Sequence, residues 1–125
     1  MIYRLVGFTV LVLSIGVATR VCAQTAREQV AEISYSRDVR PILSSKCFAC
    51  HGFDAAARQA GLRLDTFAGA TKSRDGVVAV VPGDHAASRM WQRITSDDED
   101  AVMPPAETKQ YLTPREKEVL RRWID

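Results

Sequence analysis

Cys47-Phe48-Ala49-Cys50-His51 constrains this chain more than any other stretch. Two thiols separated by two residues, with a histidine directly after, form the C-x-x-C-H pattern of c-type haem attachment. Each position has a chemical reason. The thiols add across the two vinyl groups of haem and leave thioether links, and the two-residue gap matches the vinyl separation. The adjacent imidazole supplies a nitrogen to the iron. A domain of about 90 residues is marginal on its own core, and long loops in so small a domain wrap something. A covalently held haem would supply the missing apolar centre. The expected fold is therefore mostly α, a small cytochrome c-like helical domain wrapped around one covalent haem c.

The first segment does not belong to that domain. Met1-Ile2-Tyr3-Arg4 is a short basic start, Leu5 to Val17 is almost unbroken apolar sequence, and Val21-Cys22-Ala23 resembles a signal peptidase site. The apolar run is shorter than the roughly 20 residues of a membrane span. The expected organisation is a signal peptide over 1–23, a polar linker over 24–32 and the domain over 33–125. A lipoprotein anchor at Cys22 is the rival, but Arg20 and Val21 stand where such a site wants small residues. If the segment is left uncleaved it becomes a membrane tether. Either way the domain is expected to be exported, in the periplasm or on the outer face of the cytoplasmic membrane.

Removing 1–23 takes away Arg4 and Arg20 and leaves 15 Lys+Arg against 15 Asp+Glu. No basic excess argues for nucleic acid, and no acidic bias argues for disorder. The expected partners are redox proteins of unknown identity. Ser96-Asp97-Asp98-Glu99-Asp100 is an acidic loop, read as a solvated surface with a docking patch for a basic partner as the alternative.

Local signals predict several helices joined by long loops. Asp38 is expected to cap a helix carrying Val39, Ile42 and Leu43 on one face, with Pro41 in the first turn, running into Cys47. Gly52 to Gly61 has no firm assignment. Leu62 to Asp65 alternates like a short strand or extended loop, and Asp65 or Thr66 could cap a brief helix over Phe67 to Thr71. Val77 to Val81 reads as extended, closed by the turn Pro82-Gly83. Asp84 is expected to cap a helix through Ile94, with Met90, Trp91 and Ile94 on one side. Thr113-Pro114-Arg115-Glu116 is a capping box with proline at the first helical position, followed by the stripe Val119, Leu120, Trp123 and Ile124. Trp91 and Trp123 are core residues, or pack on the haem or on each other.

The chemistry centres on Cys47, Cys50 and His51. A thioredoxin-like pair would follow a strand in a βαβ setting, whereas this pair follows a helix. Zinc would need more ligands than His85 and the carboxylates readily provide. For a second iron donor the candidates are Met90, Met103 and His85. Met90 shares a helical stripe, and His85 sits beside a helix cap. Met103 lies in a loop whose backbone Pro104-Pro105 restricts, which suits a weak thioether donor. His51 and Met103 are thus the expected metal ligands, with no catalytic residue and an electron carrier rather than an enzyme. The rivals are a haem enzyme or sensor with an open sixth site, and a thiol-disulfide protein without haem.

The ordered set Ser36 to Leu43, Cys47 to Gly52, Leu62 to Thr66, Val81-Pro82-Gly83, Arg93-Ile94, Met103-Pro104-Pro105, Leu112-Thr113 and Leu120 to Ile124 resembles the planctomycete-type cytochrome c domain. The resemblance covers about Ile33 to Asp125. It implies a cytochrome c-like helical fold, thioether links at Cys47 and Cys50, and axial ligands at His51 and Met103. Phe53 departs from it, standing where the family has proline. The family's domain usually opens a much longer multidomain protein, so the chain is expected to be a single-haem electron-transfer protein, or else a module or fragment of a larger periplasmic oxidoreductase system.

Overall fold

A computed structural model describes residues 32–125, and the segment expected to be a signal peptide, with most of the linker, lies outside them. Helix dominates the regular structure. The chain opens with a π-turn at Tyr35–Val39 that continues into α1 (Arg40–Lys46), then α2 (Phe48–His51). After a long loop come α3 (Phe67–Thr71) and a hairpin of β1 (Ser73–Arg74) and β2 (Val77–Val78). The rest is α4 (Arg89–Ile94), a 3₁₀ turn at Ala106–Thr108 and α5 (Pro114–Ile124). Among the described residues no helix is long and apolar enough to cross a membrane.

The first helix starts earlier than its capping signal predicts. Asp38 is not the cap; Ser34 holds that position, and the Asp38 carboxylate reaches back to accept the Ser34 N–H at 2.8 Å. The reason for the wider first turn is Pro41, which has no N–H and whose ring crowds the carbonyl four residues before it. A π-turn, with the Arg40 N–H donating to the Tyr35 carbonyl, carries the chain through that position without breaking the helix. Val39 and Leu43 are then 0% and 1% exposed, with Ile42 beside them, so the predicted face is the core face.

The expected helix from Asp84 to Ile94 is interrupted. Asp84 does cap a turn, accepting the Ala87 N–H at 2.9 Å, but α4 begins only at Arg89. Ser88 causes the break. Its hydroxyl is fully buried, accepts the Val81 N–H at 2.8 Å and donates to the Asp84 carbonyl at 2.8 Å. A serine offered such local partners competes with the helical backbone. Met90 and Ile94 still face the core, as the stripe predicts.

The remaining capping signals are realised. Thr66 accepts the Gly69 N–H and starts α3. Thr113 and Glu116 form the reciprocal capping box of α5, whose Leu120 (1% exposed) and Ile124 are buried. The hairpin turns at Asp75 and Gly76, both with positive φ, the backbone that a two-residue turn requires. Trp91 and Trp123 pack neither on each other nor on the main cavity. Trp123 lies against Tyr35 with ring centroids 5.8 Å apart, and Trp91 meets His85 edge-on at 5.2 Å.

Candidate functional site

α1 delivers Cys47 and α2 carries the rest of the motif. The Cys47 N–H still donates to the Leu43 carbonyl at 2.8 Å, and the His51 N–H donates to the Cys47 carbonyl at 2.8 Å. The loop beyond is stitched back onto α2. Gln59 donates its N–H to the Cys50 carbonyl, and Leu64 donates to the His51 carbonyl, each at 2.8 Å. Arg58 holds the exit, its guanidinium donating to the Gly52 and Phe53 carbonyls at 3.0 and 2.7 Å. Gly52 is buried directly behind His51, and a Cβ there would overlap the Phe48 carbonyl oxygen.

One cavity of about 490 Å³ opens against this motif, within the range of cofactor pockets. Cys47, Cys50 and His51 line it, and so does Met103, brought back by the loop after α4. Leu62, Leu64, Ala79, Met90 and Ile94 give it apolar walls. Sequence reasoning set Met90 aside as core packing; it is buried, yet it also borders the cavity. His85 does not border it. Its Nδ1 instead meets the Asp125 carboxylate at 2.7 and 2.9 Å, and its backbone N–H donates to the same group at 3.1 Å. Met103 follows a peptide N–H bond to α4: it donates to the Arg93 carbonyl at 3.0 Å, and the Met103–Pro104 peptide is cis.

The donor chemistry fits a cofactor that takes a neutral imidazole. His51 Nδ1 is buried with no hydrogen-bond partner. Burial lowers the imidazole pKa from its ordinary value, with the Gln59 backbone acting the other way, a direction that favours the neutral form that metals bind. Burial also pushes the Cys47 thiol up to about 11, whereas a redox-active cysteine needs a lowered value. Among the described residues no three or more His, Cys, Asp or Glu side chains converge as a metal set. The two thiols and the imidazole therefore share a cavity wall rather than close on one ion, which suits a group as wide as a porphyrin and disfavours tetrahedral zinc.

Residue types missed by sequence reasoning include the cations around this cavity. Lys46, Arg74, Arg89 and Arg93 border it against the single carboxylate Asp75. Arg74 is held by the Gly61, Lys72 and Gly69 carbonyls. No local pattern marks these residues, because they are gathered from three separate elements.

No curated protein and no solved structure matches the chain. The family model described as Planctomycete cytochrome C matches residues 47–107, from the first cysteine of the motif to just past the Met103 loop. The match thus spans most of the cavity-lining residues, leaving out Ser45, Lys46, Thr108 and Gln110, and does not reach α1 or α5, which rest on their own sequence signals. With the motif and the cavity, residues 47–107 are similar to the planctomycete cytochrome C family, the family that the ordered sequence motifs resemble.

Proposed function

We propose that the cavity holds one haem c and that the protein is an electron carrier. Cys47 and Cys50 would form the thioether links, and His51 and Met103 would supply the two protein donors. When bound, haem supplies reversible one-electron exchange at its iron. The observation that carries this reading is that four residues chosen for their chemistry, one of them more than 50 positions from the others in sequence, line a single cavity. The chain's part is to hold and to exclude. Leu62, Leu64, Met90 and Ile94 keep water from the occupant, the stitched α2 loop fixes the imidazole, and Met103 brings a neutral sulfur that favours the reduced state.

With both donors engaged there is no open position for a small ligand, which favours electron carriage over an enzyme or sensor with a free site. The buried Cys47 thiol, pushed up to about 11, speaks against thiol-disulfide exchange. The partners are then redox proteins, and the compartment is the periplasm or outer face of the membrane, where c-type haem is attached. A place within a larger oxidoreductase system accords with the resemblance.

The test is a haem stain on a denaturing gel, after export in a host with c-type maturation machinery, beside a Cys47→Ser, Cys50→Ser double variant. Colour retained on the parent band and lost from the variant is expected. A well-exported parent band without colour would end the haem reading. Carbon monoxide should bind the native ferrous protein slowly or not at all; rapid binding would favour the open-site alternative.

A further inference from the structure

We propose that Arg93 is the positioning residue for the Met103 thioether, an inference that rests on reading Met103 as the second donor. The last carbonyls of a helix have no partner within it. At the end of α4 the Arg93 carbonyl accepts the Met103 N–H at 3.0 Å, beside a longer bond from the Ser96 N–H at 3.4 Å. The side chain of the same residue reaches the same returning strand: Arg93 Nη1 donates to the Ala101 carbonyl at 2.9 Å. Arg93 therefore grips the loop at two points, two residues apart, with its backbone and its guanidinium.

The loop is built to be held this way. The Asp98 carbonyl accepts the Ala101 and Val102 N–H groups at 3.0 and 2.8 Å. The Asp98 N–H donates to Ser96 Oγ at 3.1 Å, and Asp98 Oδ1 accepts the Asp100 N–H at 3.0 Å. The acidic stretch is thus folded on itself and hands a rigid Ala101-Val102-Met103 segment to Arg93. With the guanidinium removed, the Met103 N–H bond survives as a single pivot, and the segment is free to swing about it. A thioether is a weak donor, and every conformation gained by the loop is entropy to be lost again when the sulfur engages. Arg93 also borders the cavity, so the anchoring cation stands on the wall that Met103 shares.

The experiment titrates imidazole, as a competitor of the thioether, into the ferric haem-loaded protein. The parent is compared with Arg93→Met, Arg93→Gln and Met103→Ala, and hydrogen exchange is followed at the Met103 amide. Arg93→Met should bind imidazole about tenfold more tightly than the parent, the size of one lost charge-assisted hydrogen bond, with faster exchange at Met103. Met103→Ala should bind it more tightly still. Should Met103→Ala bind imidazole no better than the parent, Met103 is not the donor and the role of Arg93 falls with it. Should Met103→Ala tighten binding while the Arg93 variants match the parent, Arg93 is overturned and Met103 stands. If Arg93→Met does not fold, Arg93→Gln decides, since its shorter side chain falls short of Ala101 while keeping a polar end.

Discussion

Replacing Gly52 with alanine is a test of how tightly the C-x-x-C-H motif is packed. Gly52 has φ −108° and ψ −155°, a conformation open to any residue, so glycine is not needed there for its backbone freedom. It is needed for space. An added Cβ overlaps the Phe48 carbonyl oxygen and stands 3.1 Å from the Phe48 carbonyl carbon and 3.2 Å from the Phe48 Cβ. The obstacle is the backbone of α2 rather than the tip of a flexible side chain, so relief requires opening the turn that carries His51. Overpacking a well-filled site costs about 1–3 kcal/mol, and an immovable neighbour puts Gly52→Ala near the upper figure. At about 4–8 °C per kcal/mol for a domain of this size, the melting midpoint should fall by roughly 12–24 °C. Gly61→Ala is the control. Gly61 has φ +59° with nothing within 4 Å of its Cβ position, so only left-handed strain of about 1–2 kcal/mol is expected. Thermal unfolding by circular dichroism, with the haem spectrum recorded alongside, reads both. A Gly52→Ala protein melting within about 2 °C of the parent, or more stable than Gly61→Ala, would refute the steric argument.

Three further outcomes are expected. Leu120→Ala, at a side chain 1% exposed, should lose about 2–5 kcal/mol in urea unfolding; a loss under about 1 kcal/mol would mean α5 is not part of the core. Thr113→Ala removes the hydroxyl that accepts the Glu116 N–H at 3.2 Å and should cost about 0.5–2 kcal/mol, with Thr113→Ser restoring most of it. His85 beside Asp125 holds that carboxyl below its ordinary value of 3.8, with Arg121 adding to the effect. A depressed carboxyl contributes stability above its unfolded value and loses it as pH falls through the folded one. Asp125→Asn should therefore melt below the parent at neutral pH and converge with it in strong acid; a gap that stays constant with pH would remove the ion pair from the account.

How far the sequence foretold these features depended on the range of the contacts involved. Thr66 and Thr113 cap their helices as read, because a cap is made within three residues and both partners are visible in one short stretch. Asp38 and Ser88 defeated the same logic for a physical reason. Pro41 forces a wider turn that moves the start of the first helix back to Tyr35, and the Ser88 hydroxyl takes partners at Val81 and Asp84 that compete with helical bonding. The Asp75-Gly76 pair is itself a local hairpin signal, matching the positive φ of both residues in the turn. Among site residues, Cys47, Cys50 and His51 come from one motif, and Met103 from its loop and proline neighbours. Arg93 is marked only by the family resemblance, and the other cavity cations carry no local mark. The role of Arg93 arises from contacts with residues eight and ten positions away, which spacing alone does not encode.

The double grip of Arg93 on Ala101 and Met103 separates the base of this loop from its tip. Because the attachment points lie at the base, the chain between them can change in length and charge without relocating the sulfur. Closing a longer loop is inexpensive, about 0.6 kcal/mol for each doubling. The Glu99 side chain, exposed at the far end and outside the bonds that fold the acidic stretch, can thus be replaced or reversed in charge while those bonds stay. The exposed tip and the Met103 position are thereby separate parts of one loop, and the first can change while the second stays constant.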